Sequence, residues 1–434
     1  MKILFLENRF RTFFWREMAS LLRQDGHEVK FIIQNKSYHS DKLNDIVIAY
    51  PKRLTGQTQD IRNLPLIESD RNINYFKHIG TAHYDYYRKS IEAIINDFQP
   101  KVVFGESTAF HELITIDICK ERKILYLQPS TTRYPTGRFS FYLYDTLVPY
   151  KGSGEELSKS EALSLVNEIA NRTTRPDYMR KRKTTFSTRF QRMKDLILLT
   201  KSYMAGEHYN TPNPIVKRGI EKRKNNNIKN WDILAQERQV DIEMLDFKIL
   251  YPMQMQPEAN LDVWGRAYRN QLNTIKQLIA NTQSDVNIII KPNPKSKYEL
   301  TPELIDYIKS EPRIIPLAHN ISMDNVLPKM DLVVTATGTI AIECILSNKP
   351  IVTLIQTLYN KQQNCIFLPT LKKISDVISM VKEASFPTIT DEEKCQFINI
   401  LNATSYGGYP YNSRLTQDNL SKCIDAFRSI TNTI

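Results

Sequence analysis

The feature that most restricts the fold is a doubled alternation of short apolar runs with helix-spaced segments, once near the start of the chain and again in its second half. Residues 2–7 are an apolar run, 13–24 carry Phe14, Met18, Leu21 and Leu22 at helical spacing, and 27–33 read as a second strand. Asp25-Gly26 stops the helix, with Gly26 supplying the turn into that strand. A helix is expected to end at Gln99-Pro100, followed by a strand over 101–104, a helix over 109–122 and a strand over 123–127. The same alternation resumes near residue 247, with strands over 247–251, 286–290, 314–317, 332–335 and 350–354. Strands that alternate with helices favour parallel pairing, so the fold class is α/β with two Rossmann-like domains.

The expected division is an N-terminal α/β domain over 1–150, a basic, mostly helical insertion or connector over 151–245, a second α/β domain over 246–388, and C-terminal helices over 389–434 that return to the first domain. At 434 residues the chain exceeds the usual size of one domain. No apolar run is long enough to cross a bilayer, and the first apolar run is too short for a signal-peptide core. The five cysteines are widely spaced and form no metal-type pair, which suits a reducing cytoplasm.

A net charge of +12 is concentrated in two stretches, Arg172, Arg175, Arg180, Lys181, Arg182 and Lys183, then Lys217, Arg218, Lys222, Arg223, Lys224 and Lys229. Such clusters either attract anions or form a solvated helix face. No nucleic-acid-binding signature accompanies them, so the expected contact is peripheral, with an anionic membrane at the inner face of the cytoplasmic membrane, and not with nucleic acid.

The strongest local signal runs from Asp331 to Val352. A strand ends in Thr335, a loop holds Thr337, Gly338 and Thr339, and a helix begins at once. Gly338 lets the backbone approach a ligand closely, while helix N-terminal amides face an anion at the carboxyl end of a parallel strand. Glu343, one turn into the helix, is placed to reach a ribose hydroxyl, or serves simply as a partner of the helix dipole.

The segment DLVVTATGTIAIECILSNKPIV resembles the donor-site segment of bacterial capsule polysaccharide biosynthesis proteins, including the Kdo transferases. YPMQMQPEANLDVWGRAYRNQLNTIKQL (251–278) and VNIIIKPNPKS (286–296) resemble two further segments of that family, in the same order. The resemblance implies a GT-B architecture with two domains facing a cleft, and a donor site that includes Lys291, Asn293, Pro294, Thr335, Thr337, Gly338, Thr339 and Glu343. Asn293 stands where the family often has histidine, so Lys291 or Lys295 is left to supply the cation. Gln254, Gln256 and Glu258 follow a strand end, where they would meet the base or sugar, or merely begin a loop.

The implied reaction moves a sugar, plausibly Kdo from CMP-Kdo, onto a glycan or lipid-linked glycan acceptor, with no cofactor and no metal. Glycosyl transfer needs a carboxylate as base or nucleophile. Glu106, in the turn Gly105-Glu106-Ser107-Thr108, is the first candidate, with a cap of the following helix as its other reading. His111, one turn later, is placed to orient it or is a structural histidine of the helix, and Asp232 is a second carboxylate candidate. Arg9, Arg11, Arg133 and Arg138 follow strand ends and are candidates for an acceptor or donor carboxylate, or equally are solvated loop charges. Two other readings stay open: a sugar-nucleotide epimerase of the same fold, and a non-catalytic polysaccharide assembly or export factor.

Overall fold

The computed structural model describes residues 1–41, 45–51, 54–176, 179 and 186–434. The chain divides into two compact units: residues 1–156, 175–217 and 399–434 form the first, and 157–174 with 218–398 form the second.

The first unit is built on a sheet of β1 (Lys2–Leu6), β2 (Glu28–Ile33), β3 (Asp45–Val47), β4 (Val102–Phe104), β5 (Leu125–Thr131) and β6 (Arg138–Leu143), closed by a short strand at Tyr406–Gly407. Strands β3, β2, β1, β4 and β5 are neighbours in that order and parallel, whereas β6 and Tyr406–Gly407 join antiparallel. Ile3, Leu4, Phe5 and Leu6 are all buried, as a central parallel strand covered on both faces requires. The helix Thr12–Gln24 ends just before Asp25 and Gly26, and the φ of 87° at Gly26 turns the chain into β2. The expected strand over 123–127 extends further, to Thr131, because β6 folds back along it.

The helix Gln417–Thr431 completes this core from the far end of the chain. Phe427 lies among Phe5, Trp15, Phe104 and Phe141, with ring centroids 6.2, 6.3, 4.8 and 4.9 Å away. Beside it, Cys423, Ile424, Ala426 and Ile430 fill the face of the sheet.

The second unit holds a wholly parallel sheet of β7 (Phe247–Pro252), β8 (Val286–Lys291), β9 (Ile314–Pro316), β10 (Leu332–Thr335), β11 (Ile351–Thr353) and β12 (Cys365–Phe367). Their order is β12-β11-β10-β7-β8-β9. Both units therefore carry the parallel α/β sheet expected of a Rossmann-like domain.

The stretch 151–245 differs from the single connector expected. Its first helix, Lys159–Ala170, buries Ala162, Val166 and Ile169 and packs against the helix Thr339–Leu346 in the second unit. Residues 175–217 join the first unit, where Asn210 and Glu207 bond to Gln34. The helix Pro214–Glu237 then delivers Trp231 and Leu234 into the second core. Each helix is allotted by a few buried apolar residues that its basic, polar composition hides. Of the basic cluster, Arg180 to Lys183 lie outside the described residues. Arg218, Lys222, Arg223 and Lys229 are exposed. Among the described residues no helix is long and apolar enough to cross a membrane.

Because Phe427 is fully buried against five aromatic rings, Phe427→Ala is expected to cost about 3–5 kcal/mol in urea unfolding. A loss below about 1 kcal/mol would show that the C-terminal helix is an ornament on the first unit and not part of its core.

Candidate functional site

In the second unit the polar residues gather at the carboxyl edge of the parallel sheet. Residue Thr335 ends β10, the loop runs through Thr337 and Gly338, and the helix Thr339–Leu346 starts immediately. Gly338 has φ 126°, a conformation that L residues avoid, and a Cβ there would lie 3.3 Å from the Gln254 amide nitrogen. Gln254 follows β7 and donates to the Thr337 carbonyl at 2.9 Å, while the Thr335 hydroxyl donates to the same carbonyl at 2.8 Å. The loop is thus drawn down onto the sheet by two side chains, and the helix amino end follows it directly. Thr337 and Thr339 are buried.

Gln254 and Thr335 therefore hold the loop's backbone, a bracing task that sequence alone did not separate from ligand contact. Gln256 and Glu258 belong to a second braced turn. The Gln256 amide donates to Asp262 and to the Arg269 carbonyl at 3.2 and 3.0 Å, and the Glu258 amide N–H donates to Asp262 at 2.9 Å. Gln271 ties this turn to the strand end, donating to the Gln254 carbonyl and the Gln256 side chain at 2.8 and 2.9 Å.

Glu343, the residue expected to reach a ribose hydroxyl, sits one turn into the helix Thr339–Leu346. It is buried, and its carboxylate is ion-paired with Arg172, whose Nε also donates to Asp324 at 2.6 Å. A buried carboxylate needs a fixed counter-charge, and Arg172 supplies one from the segment after the helix Lys159–Ala170.

Asn293 likewise turns inward: its side-chain oxygen accepts the Lys295 N–H at 2.8 Å and shapes the turn after β8. Pro294 and Lys295 are exposed on that turn. Lys291, by contrast, is 2 % exposed. Its Nζ donates to the Pro292 carbonyl at 3.0 Å, and burial alone pushes the amine down to about 8.

Asp232 lies on the helix Pro214–Glu237 and is not a free carboxylate. One oxygen accepts the His319 backbone N–H at 2.9 Å and the other lies 2.6 Å from His319 Nδ1. With both oxygens engaged by His319, it is a poor candidate for attack on a sugar. His319 was not a candidate from the sequence, because nothing near it signals that a carboxylate 87 residues away will meet it.

The first unit concentrates carboxylates at the corresponding edge of its sheet. Glu7 follows β1, Glu106 follows β4, and Glu112 and Glu207 are fully buried nearby in the same unit. Glu112 is the cap of the helix Phe110–Glu121: it accepts from the N–H groups of Ala109, Thr108 and Glu106 at 2.8, 3.0 and 3.2 Å and from the Asn8 amide at 2.9 Å. That leaves Glu106 free of capping. It is ion-paired with Arg11, whose guanidinium also bonds the Pro410 carbonyl and lies 4.0 Å from the Tyr411 ring. Burial raises the Glu106 carboxyl above the usual range, and the Arg11 charge opposes that rise.

His111 does not orient Glu106. Its Nε2 donates to the Glu7 carbonyl at 2.8 Å and its Nδ1 accepts from the Asn210 amide at 2.9 Å. Burial pushes the imidazole down to about 4, so it stays neutral and structural. Arg138 is also structural: it bonds Ser405, Ser153, Glu155 and the Asn402 carbonyl, tying β6 to the chain ends around it. Arg9 is partly exposed with its guanidinium 5.1 Å from the Phe10 ring, and Arg133 adopts a left-handed turn conformation at φ 73°.

Each of these two α/β units thus carries its polar residues at the carboxyl edge of a parallel sheet. Residues 161–362 match the model of the family described as capsule polysaccharide biosynthesis protein. The match spans a little under half of the chain and includes all three motif segments, so the resemblance read from the motifs is shown over that stretch. No curated protein matches. Similar solved structures include the beta Kdo 2,7 transferase KpsC of Thermosulfurimonas dismutans, with 11% identity, a TM-score of 0.32, and coverage of 87% of this chain and 98% of that one. The UDP-GlcNAc 2-epimerase of Methanocaldococcus jannaschii has 12% identity, a TM-score of 0.29, and coverage of 92% and 98%. The MnaA–UDP complex of S. aureus has 11% identity, a TM-score of 0.27, and coverage of 100% and 97%.

Glu7 offers a direct test of the carboxylate cluster. Burial, reinforced by Glu207 and Glu112, pushes its carboxyl from 4.5 up to about 8, against the opposing N–H of Asn35. The folded state therefore binds the proton more tightly. Stability from this group is full below pH 4.5 and is lost as pH rises through about 8. Relative to wild type, Glu7→Gln is expected to gain stability across that window, on the order of 3–5 kcal/mol, in urea unfolding at stepped pH. A constant difference between the two proteins from pH 4.5 to 8 would show that Glu7 is ionised throughout.

Proposed function

We propose that the chain is a glycosyltransferase that moves a sugar from a nucleotide-sugar donor to a surface-polysaccharide or lipopolysaccharide acceptor, with Kdo from CMP-Kdo as the donor. The observation that carries this reading is the family match over the segment in which Thr337, Gly338 and Thr339 open a helix at the carboxyl end of β10. Departure of the nucleotide leaves negative charge on its phosphate, and a helix amino end approached closely through a glycine stabilises such charge.

Glu106 is the carboxylate assigned to the chemistry, as base for the acceptor hydroxyl or as nucleophile in a retaining reaction. Either role requires its ionised form, and Arg11 opposes the upward shift that burial imposes on the carboxyl. The reading calls for no metal and no cofactor. Exposed Arg218, Lys222, Arg223 and Lys229 support peripheral contact with an anionic membrane surface, where a lipid-linked acceptor would be met.

Calorimetric titration with CMP, UDP and GDP tests the donor site. CMP is expected to bind, and Thr337→Ala and Gly338→Ala to weaken it at least about tenfold while the circular dichroism spectrum is unchanged. Binding of no nucleotide would sink the transferase reading; binding of UDP alone would keep it and replace the donor. Glu106→Gln is expected to lower turnover about 10²–10⁴-fold with nucleotide affinity intact. Turnover near wild type would remove Glu106 from the chemistry.

A further inference from the structure

The end of β9 presents an imidazole that the donor motifs do not account for. Residues Trp231 and Asp232, consecutive on the helix Pro214–Glu237, hold the loop after this edge strand: Trp231 Nε1 donates to the Leu317 carbonyl at 2.8 Å, and Asp232 takes both the N–H and Nδ1 of His319. A carboxylate can only accept, so Nδ1 carries a proton, and Nε2 is the nitrogen left for a ligand, donating to an anion when the ring is the imidazolium that Asp232 stabilises. Among the described residues Nε2 has no hydrogen-bond partner, and the side chain is 29% exposed.

The neighbouring strand ends in Lys291, whose Nζ is 3.5 Å from the His319 carbonyl. This ammonium is 2 % exposed, and among the described residues it has carbonyl partners but no carboxylate. A buried cation without a counter-charge is unfavourable, and an anion would relieve it. Meanwhile Asn293, which stands where the resembling family often has histidine, spends its side chain on its own turn.

We propose that Lys291 and His319 form a phosphate subsite at the carboxyl ends of β8 and β9, with Asp232 as the positioning residue that fixes the imidazole. The ligand is a phosphate group, either that of the nucleotide donor or a free phosphate. The first of these rests on the transferase reading; the subsite itself does not.

The test follows the histidine ring signals by NMR in the full-length protein, with His319 assigned through His319→Gln, during titration with inorganic phosphate, CMP and cytidine. Saturable shifts of His319 by phosphate and CMP, absent with cytidine, are expected. Lys291→Met and Asp232→Asn should each weaken the phosphate response at least about tenfold, with the circular dichroism spectrum unchanged. A response to phosphate but not CMP supports the subsite while counting against the CMP donor. Silence of His319 toward both anions overturns the subsite, and if CMP still binds by calorimetry the transferase reading survives it. An equal response to cytidine, or shifts that do not saturate, overturns it as well, leaving base contact or an adventitious ion only.

Discussion

A parallel sheet covered on both faces by helices can place polar chemistry only at its ends, and everything functional in this protein depends on that constraint. In the first unit the buried strand residues Ile3 to Leu6 give way directly to Glu7 and Asn8. In the second, Ile288 to Ile290 give way to Lys291, and Val333 and Val334 to Thr335. The strands are apolar because both faces are buried, and their carboxyl ends are polar because the connecting loops open there.

The two edges differ in sign. Glu7, Glu106, Glu112 and Glu207 collect in the first unit, where burial disfavours charge and Glu7 keeps its proton well into the neutral range. The second edge holds Lys291, the open nitrogen of His319 and a helix amino end. Acid–base or nucleophilic work suits the first set of groups, and recognition of an anion suits the second. In the Glu343–Arg172–Asp324 cluster one guanidinium engages both carboxylates.

Several side chains singled out for chemistry are spent on architecture. His111 bridges Glu7 and Asn210, Arg138 laces together segments near 153 and 405, and Asn293 shapes its own turn. In each case the residue type suited the proposed role, but a polar group at a crowded strand end must first satisfy the backbone around it. Glu106 escapes that fate because Glu112, one turn into the helix, takes the capping duty.

Local periodicity was sufficient to read the two α/β units, the turn at Gly26, and the strand–Gly338–helix element, since each depends on neighbours in sequence. The partners of Phe427 and the division of 151–245 between two cores depend instead on contacts distant in the chain. So do the pairings Arg11–Glu106, Arg172–Glu343 and Asp232–His319, which join residues 87 or more apart. Side-chain chemistry names what a residue can do, and it was legible from the chain alone. Whether a carboxylate is left with a lone pair, or an imidazole with an open nitrogen, depends on which distant group packs beside it, and only the tertiary structure decided that.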